Sequence, residues 1–262
     1  MLKIVIIASG LAYQQAAAWA ASTFTIHVRD SHCISVLLPA QERLLPVVSA
    51  KSRQFGFVVE RFDFSFERHA DYTTKLKCAA FAWQIGRTDA KDIVLFADAD
   101  TCCLKPVRLT VVERSLVTAG KVGMAPDVVD WHCNDPSLPL YLTKEKRRTY
   151  VNSGVIFASC KSLPFFEYLR SLANDPRFLT GPFHDQELIN YAFGSLFRDT
   201  LLLLDRKFNR IGSVSDSTVI AHLAGGAGWL NEHPRKEVHL RLCKTALHYL
   251  RCGAGDVSAH ED

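Results

Sequence analysis

The chain has 262 residues, room for one large domain or two small ones at roughly 100 to 200 residues each. Hydrophobic residues make up 48% and charged residues 22%, with 14 Gly and 10 Pro, which excludes collagen-like, mucin-like and disordered classes and predicts a folded globular protein. Lys and Arg number 31 against 27 Asp and Glu, a formal charge of +4, and they are scattered without the stripe that duplex binding needs, so nucleic acid is not an expected partner.

At the start, Lys3 followed by Ile4 to Ile7 and an Ala-rich stretch ending Ala18-Trp19-Ala20 imitates a secretory signal peptide. The competing reading is a strand from Lys3 to Ala8, a turn at Ser9-Gly10, and a helix from Leu11 to Ala21 leading into a strand from Thr23 to Val28. Gln14-Gln15 suits a helix better than a signal core. Strand-like and helical runs then alternate: Ile34 to Leu38, Glu42 to Ser52, Phe55 to Phe62, Asp71 to Ile85 and Ile93 to Ala97. This alternation predicts an α/β fold with a mostly parallel central sheet flanked by helices, whose ligands gather at the carboxyl ends of the strands. Irregular polar sequence from Asp127 to Thr149 precedes a strand from Tyr150 to Ser159 and helices over Leu163 to Ala173 and Asp185 to Phe197. Short strands at Leu201 to Leu204 and Thr218 to Ala221 follow.

No internal repeat or linker divides the chain, so a single domain over 1–262 is expected, with two halves at 1–126 and 127–230 and a helical tail at 231–262. No other stretch reaches the roughly 18 apolar residues of a membrane span, which predicts a soluble body. The eight cysteines, Cys33, Cys78, Cys102, Cys103, Cys133, Cys160, Cys243 and Cys252, show no Cys-x-x-Cys spacing and suggest reduced thiols and a cytoplasmic location, secretion being the weaker reading.

Asp98-Ala99-Asp100 follows the apolar run Ile93 to Ala97, so two carboxylates stand at the end of a buried strand, at i and i+2 and hence on one face. Hard divalent cations take carboxylate oxygens and leave room for substrate phosphates, which fits a nucleotide diphosphate bridged by metal. A pair of solvated turn carboxylates is the competing reading. His222 ends a second apolar run, Thr218 to Ala221, and Gly225-Gly226-Ala227-Gly228-Trp229 comes next. Glycines let backbone N–H groups approach phosphate, and the imidazole adds a nitrogen ligand; a structural histidine and a plain turn are the alternatives. Asn152-Ser153-Gly154 opens one strand, and His184-Asp185-Gln186-Glu187 opens a helix whose polar N-terminus can meet sugar hydroxyls, or where Asp185 serves as an N-cap.

In this order the motifs resemble GT-A type nucleotide-sugar glycosyltransferases, most closely the family 8 group that includes glycogenin and lipopolysaccharide galactosyltransferases. The likeness runs from the first strand through Trp229 and includes Asn190 and the Asn of Phe208-Asn209-Arg210. The resemblance implies a hexosyltransferase that uses Mn2+, with Mg2+ as the alternative, and a UDP-sugar donor, usually with retention at the anomeric carbon. Its acceptor would be a glycan or lipid-linked sugar. It implies Asp98, Asp100 and His222 as metal ligands, and Ala8, Ser9, Tyr13, Lys75, Asp98, Asp100 and Gly225 around the nucleotide, with Lys77 the alternative to Lys75. Asn152, Ser153, Asp185 and Gln186 would surround the transferred sugar, with Asp185, Gln186 and Asn152 in catalytic roles. Two departures stand out. Ser9 or Gly10 occupies the place of the family's strand-end Asp, and the glycine segment lacks the family's Lys, for which Lys207, Arg210 or Arg235 are substitutes.

Two rival functions share some of these features. An aspartyl phosphatase or phosphotransferase also places Asp-x-Asp after a hydrophobic strand, and a non-catalytic nucleotide-sugar or glycan binding protein would tolerate the missing Lys and Asp. Glu232 to Arg251 reads as a basic amphipathic helix, with Leu240, Cys243, Leu247 and Leu250 at helical spacing; it either packs on its own domain or makes weak peripheral contact with an anionic membrane.

Overall fold

A computed structural model of the chain describes residues 1–28, 33–64, 72–127, 150–175, 185–223 and 233–253. Ten strands are described: β1 (Leu2–Ile7), β2 (Ile34–Pro39), β3 (Val58–Phe62), β4 (Ile93–Ala97), β5 (Thr101–Cys103), β6 (Val122–Pro126), β7 (Val151–Ala158), β8 (Leu201–Leu203), β9 (Arg210–Ile211) and β10 (Ile220–His222). The helices are α1 (Leu11–Thr25), α2 (Pro46–Phe55), α3 (Tyr72–Gly86), α4 (Val111–Thr118), α5 (Leu163–Ala173), α6 (Asp185–Gly194) and α7 (His233–Gly253). Seven strands form one sheet in the order β3-β2-β1-β4-β7-β6-β8, and β5-β10-β9 form a small second sheet. Only β7 runs antiparallel to its neighbours in the large sheet, so the expected mostly parallel α/β architecture holds.

Alternation along the strands feeds two apolar layers. Ile4 and Ile6 of β1, Ile93 and Leu95 of β4, and Val155 and Phe157 of β7 pack with the alanine face of α1 and with Phe24. Val5, Val94, Phe96 and Ile156 point the other way, onto α3, α5 and α6. There Phe81, Phe96 and Phe166 meet in tilted and edge-to-face contacts with centroids 4.7 to 5.9 Å apart. Each such ring or branched side chain, fully buried, contributes about 1.5–3 kcal/mol.

Four local expectations are corrected. The strand expected at Thr23 to Val28 is the end of α1, which runs to Thr25, followed by a turn. Ser22, Thr23 and Thr25 donate their hydroxyls to carbonyls three or four residues back, and Phe24 is wholly buried, so packing and local hydrogen bonds override β-branched propensity. The helix expected from Glu42 begins at Pro46, because Glu42 to Leu45 form the loop after β2 and Pro46 pre-sets the first helical φ. Phe55 closes α2 instead of opening a strand, since Gly56 adopts φ +80 and caps the helix. Asp98 and Asp100 lie in a turn between β4 and β5, not on a strand face. The sequence reading also passed over β5, α4 and β6; Thr110 and Glu113 form a capping box at the start of α4.

Apart from Asp127, the irregular segment Asp127 to Thr149 lies outside the described residues, as does Gly225 with its glycine cluster. Among the described residues no helix is long and apolar enough to cross a membrane.

Candidate active site

After Ala97 the chain turns through Asp98-Ala99-Asp100 into β5. Thr101 clamps that turn, its backbone N and Oγ1 both donating to the Asp98 carbonyl at 3.1 and 2.7 Å. The Asp98 N–H donates to Gly154 O on β7 at 2.9 Å, and the Leu223 N–H to Asp100 O at 3.2 Å. Because β5 and β10 pair antiparallel with Thr101 opposite His222, the imidazole stands over the turn. Its Nε2 lies 3.4 Å from Asp100 Oδ1 and 3.8 Å from Asp98 Oδ2. One ligand atom from each of Asp98, Asp100 and His222 falls within 4.8 Å of the others. The ring fits only because residue 154 is glycine: a Cβ there would meet His222 Cε1 at 2.1 Å.

The hydrogen-bond pattern fixes what the imidazole presents. Asn209 Nδ2 donates to Asn152 Oδ1 at 2.8 Å, which turns Asn209 Oδ1 toward His222 Nδ1 at 3.0 Å, so Nδ1 carries the proton. Nε2 therefore faces two carboxylates, and the three groups need a cation among them, either a proton on Nε2 or a metal ion. Burial pulls the His222 pKa down, but the Asp100 and Asp98 carboxylates outweigh it and the net shift is upward. Burial pushes Asp100 up, and His222 reverses this to hold it below the ordinary carboxylate range. Asp98 ends above that range, loss of solvent prevailing over the pull of Lys77. Two carboxylates and an imidazole nitrogen with its tautomer set by a second hydrogen bond suit a divalent ion such as Mn2+.

Lys77 joins this cluster to the start of α6. Its Nζ lies 2.9 Å from Asp98 Oδ1 and 2.8 Å from Asp185 Oδ2. Burial alone would lower its pKa, yet Asp185 and Asp98 together raise it, and the ammonium stays charged. Beyond it runs a buried amide chain. Gln186 Oε1 accepts from Ser153 N at 3.1 Å and Gln186 Nε2 donates to Asp127 Oδ2 at 2.9 Å, the same oxygen that accepts from Asn152 Nδ2 at 3.2 Å. Asn190 closes the strand-to-helix joint through Val151 N and O at 2.8 and 2.9 Å.

Asn152, Ser153, Asp185, Gln186, Asp98, Asp100 and His222 are thus brought together at the carboxyl end of β4. Lys75 sits two residues from Lys77 on α3, and it is Lys77 that bridges the carboxylates. Ala8 is buried at the end of β1, its N–H donating to Leu37 O at 3.1 Å. Ser9 Oγ donates to Glu42, and Tyr13, in the first turn of α1, packs against the core. Of the substitutes for the missing lysine, Lys207 Nζ lies 5.2 Å from the Phe208 ring centroid and Arg210 Nε donates to Ser213 O at 3.0 Å. The Arg235 side chain lies outside the described residues. Sequence reasoning missed Asp127 and Glu42; neither has a sequence neighbour that marks it, and only their buried acceptor roles identify them.

No protein-family model and no curated protein matches this sequence. Solved structures do match. Mouse xyloside xylosyltransferase 1 in its apo form superposes with a TM-score of 0.56 at 15% identity over 84% of this chain and 97% of its own. The galactosyltransferase LgtC, solved in complex with donor and acceptor sugar analogs, gives 0.58 at 15% identity over 92% of this chain and 95% of its own. An active-site mutant of LgtC gives 0.61 over the same shares and at the same 15% identity. The chain shares the fold of these glycosyltransferase structures, the GT-A fold.

Proposed function

We propose that the protein transfers a hexose from a nucleotide diphosphate sugar, a UDP-sugar in first place, to a glycan or lipid-linked acceptor. The observation that carries this reading is the convergence of Asp98, Asp100 and His222 at a strand end of a GT-A sheet, with Asp185 joined to it through Lys77. Those three side chains would hold a divalent metal, Mn2+ ahead of Mg2+, which counters the negative charge that grows on a diphosphate leaving group.

Lys77 places a permanent cation between the metal ligands and the sugar side, where it neutralises Asp98 and Asp185. Asn152, Ser153, Asp185 and Gln186 line the sugar side of the cleft and orient the transferred ring. Gln186 has both amide atoms engaged and no useful basicity, and Asp185 is paired with Lys77, so the reading includes retention at the anomeric carbon. Residues 1–126 supply the nucleotide side and 127–230 the sugar side. A cytoplasmic setting is part of the reading, supported by Cys78, Cys102, Cys103, Cys160 and Cys243, which form no disulfide.

The test is release of nucleoside diphosphate from a panel of UDP-, GDP- and dTDP-sugars with Mn2+, with Mg2+ and with chelator. Metal-dependent release from at least one donor is expected, faster in Mn2+ because imidazole suits it better than Mg2+. Neither release nor a thermal shift with any donor in either metal would end the proposal.

A further inference from the structure

Two backbone N–H groups of β7 set the direction of a buried hydrogen-bond chain that ends on His222. A backbone N–H can only donate. Ser153 N meets Gln186 Oε1 at 3.1 Å and Gly154 N meets Asn152 Oδ1 at 2.8 Å, so both amides turn their nitrogens away from β7, and the two nitrogens converge on Asp127 Oδ2 at 2.9 and 3.2 Å. Asn152, 5% exposed, is thereby oriented from both ends of its amide.

Asn209 is the next link. The buried Phe208 ring anchors the turn before β9, and β9 pairs parallel with β10, Arg210 opposite Ala221, which brings the residue before β9 beside His222. Asn209 Nδ2 donates to Asn152 Oδ1 at 2.8 Å and lies 3.4 Å from Asn152 O. Turning this amide over would set its oxygen against two oxygens, so Oδ1 is kept on His222 Nδ1 at 3.0 Å. That contact decides a competition. The carboxylates 3.4 and 3.8 Å from Nε2 would by themselves favour the tautomer with its proton on Nε2, where it donates to Asp100 and the lone pair points away on Nδ1. A fixed acceptor at Nδ1 reverses the preference and leaves the Nε2 lone pair facing Asp98 and Asp100.

We infer that Asn209 is a positioning residue for the metal site: by accepting from Nδ1 it keeps the Nε2 lone pair of His222 on the side of the carboxylates, and so gives the site its preference for Mn2+ over Mg2+. This rests on the metal reading above. The preference resides in the imidazole, because carboxylate oxygens serve both ions whereas a nitrogen ligand favours Mn2+. The Asn209 amide acts through the ring and not on the ion, and its own direction comes from Asn152.

The experiment titrates Mn2+ and, separately, Mg2+ into the full chain and into Asn209→Leu, Asn209→Asp, His222→Ala and the Asn209→Leu/His222→Ala double variant, with folding checked by circular dichroism. The unaltered chain should bind Mn2+ more tightly than Mg2+. Asn209→Leu should weaken Mn2+ by about 10- to 100-fold, the cost of losing a hydrogen bond behind a metal-bound histidine, and should change Mg2+ far less. Added to His222→Ala, the same substitution should cost Mn2+ nothing further, since the ring through which it acts is gone. Asn209→Asp keeps an acceptor at Nδ1 and should keep the ratio of Mn2+ to Mg2+ affinity; both ions feel the extra negative charge alike, so the ratio reads the imidazole. No loss of Mn2+ in Asn209→Leu, equal losses of the two metals, or a further loss of Mn2+ in the double variant overturns the inference. If Asn209→Leu does not fold, loss of the ratio in Asn209→Asp overturns it instead. Should the unaltered chain bind neither ion, or His222→Ala leave Mn2+ binding unchanged, the metal reading falls and this inference with it.

Discussion

Gly154 lies against the face of His222, and a methyl group there would put Cβ 2.1 Å from the ring. Gly154→Ala should therefore destabilise the protein by about 1–3 kcal/mol in urea unfolding, the usual cost of overpacking, and abolish the rise in Tm that the proposed metal site would give with Mn2+. A variant that keeps the full Mn2+ shift would show that the imidazole is not a ligand. Asp100→Ala removes a ligand at a site where other contacts hold the turn, so it should keep near-native circular dichroism while losing metal stabilisation and at least a hundredfold in transfer. Normal turnover by that variant in Mn2+ would place the metal elsewhere. Lys77 bears on stability as well as chemistry: Lys77→Met leaves Asp98 and Asp185 without their shared cation. Removing one partner of a buried pair costs about 3–5 kcal/mol, and the partial exposure of Asp98, 28% of its side chain, puts the expected loss toward the lower end. Asp185→Ala and Gln186→Ala should depress turnover far more than UDP affinity; matched losses would move both residues to the nucleotide side.

α7 shows how an element's surroundings decide between two uses of one apolar stripe. Cys243 and Leu247, four residues apart, are buried, His239 one turn earlier is fully buried, and the helix packs on α1 and β5. His239 Nε2 lies 3.2 Å from Thr101 O, directly after the Asp98–Asp100 turn. With the stripe directed inward, Lys244 and Lys51 share the Trp19 ring at 5.6 and 3.9 Å. The expected outcome of vesicle co-sedimentation is no binding to anionic vesicles even at low salt. Leu247→Asp should destabilise the whole protein by about 2 kcal/mol or more, by burying a charge at a packed position. Salt-sensitive binding to vesicles would show instead that the basic face of α7 reaches the membrane.

Across the whole molecule, both parts of the chain interleave in one sheet. β4 from the first part pairs with β7 from the second, and β6 lies between β7 and β8. The small sheet repeats the pattern, joining β5 to β10. No boundary near residue 126 leaves either part with a complete sheet, so urea unfolding should be one transition, coincident by tryptophan fluorescence and far-UV circular dichroism. Two separated transitions would mean that the halves fold independently.

What could be read locally was what depends on local pattern. Apolar runs mark β1, β4 and β7, because a strand buried on both faces needs unbroken hydrophobic sequence, and the polar residues that end such runs then stand at the end of the sheet. Asp98, Asp100 and His222 were legible in this way, as was the N-terminus of α6. Lys77 was not separable from Lys75 in sequence, since two residues on a helix differ by about 200° of rotation and only the position of α3 against β4 and α6 decides which ammonium turns inward. Thr23 to Val28 reads as a strand by composition, but its first half is the last turn of α1 because Phe24 has a core to fill. Glu42 and Asp127 became part of the candidate site only through partners 25 to 59 residues away, in bonds from Ser9, Asn152 and Gln186 that no local pattern encodes. The sequence by itself determined the strands and the residues at their ends. The tertiary structure decided which of those ends meet, because convergence at a site depends on strand order and helix rotation, and both are set by packing between distant segments.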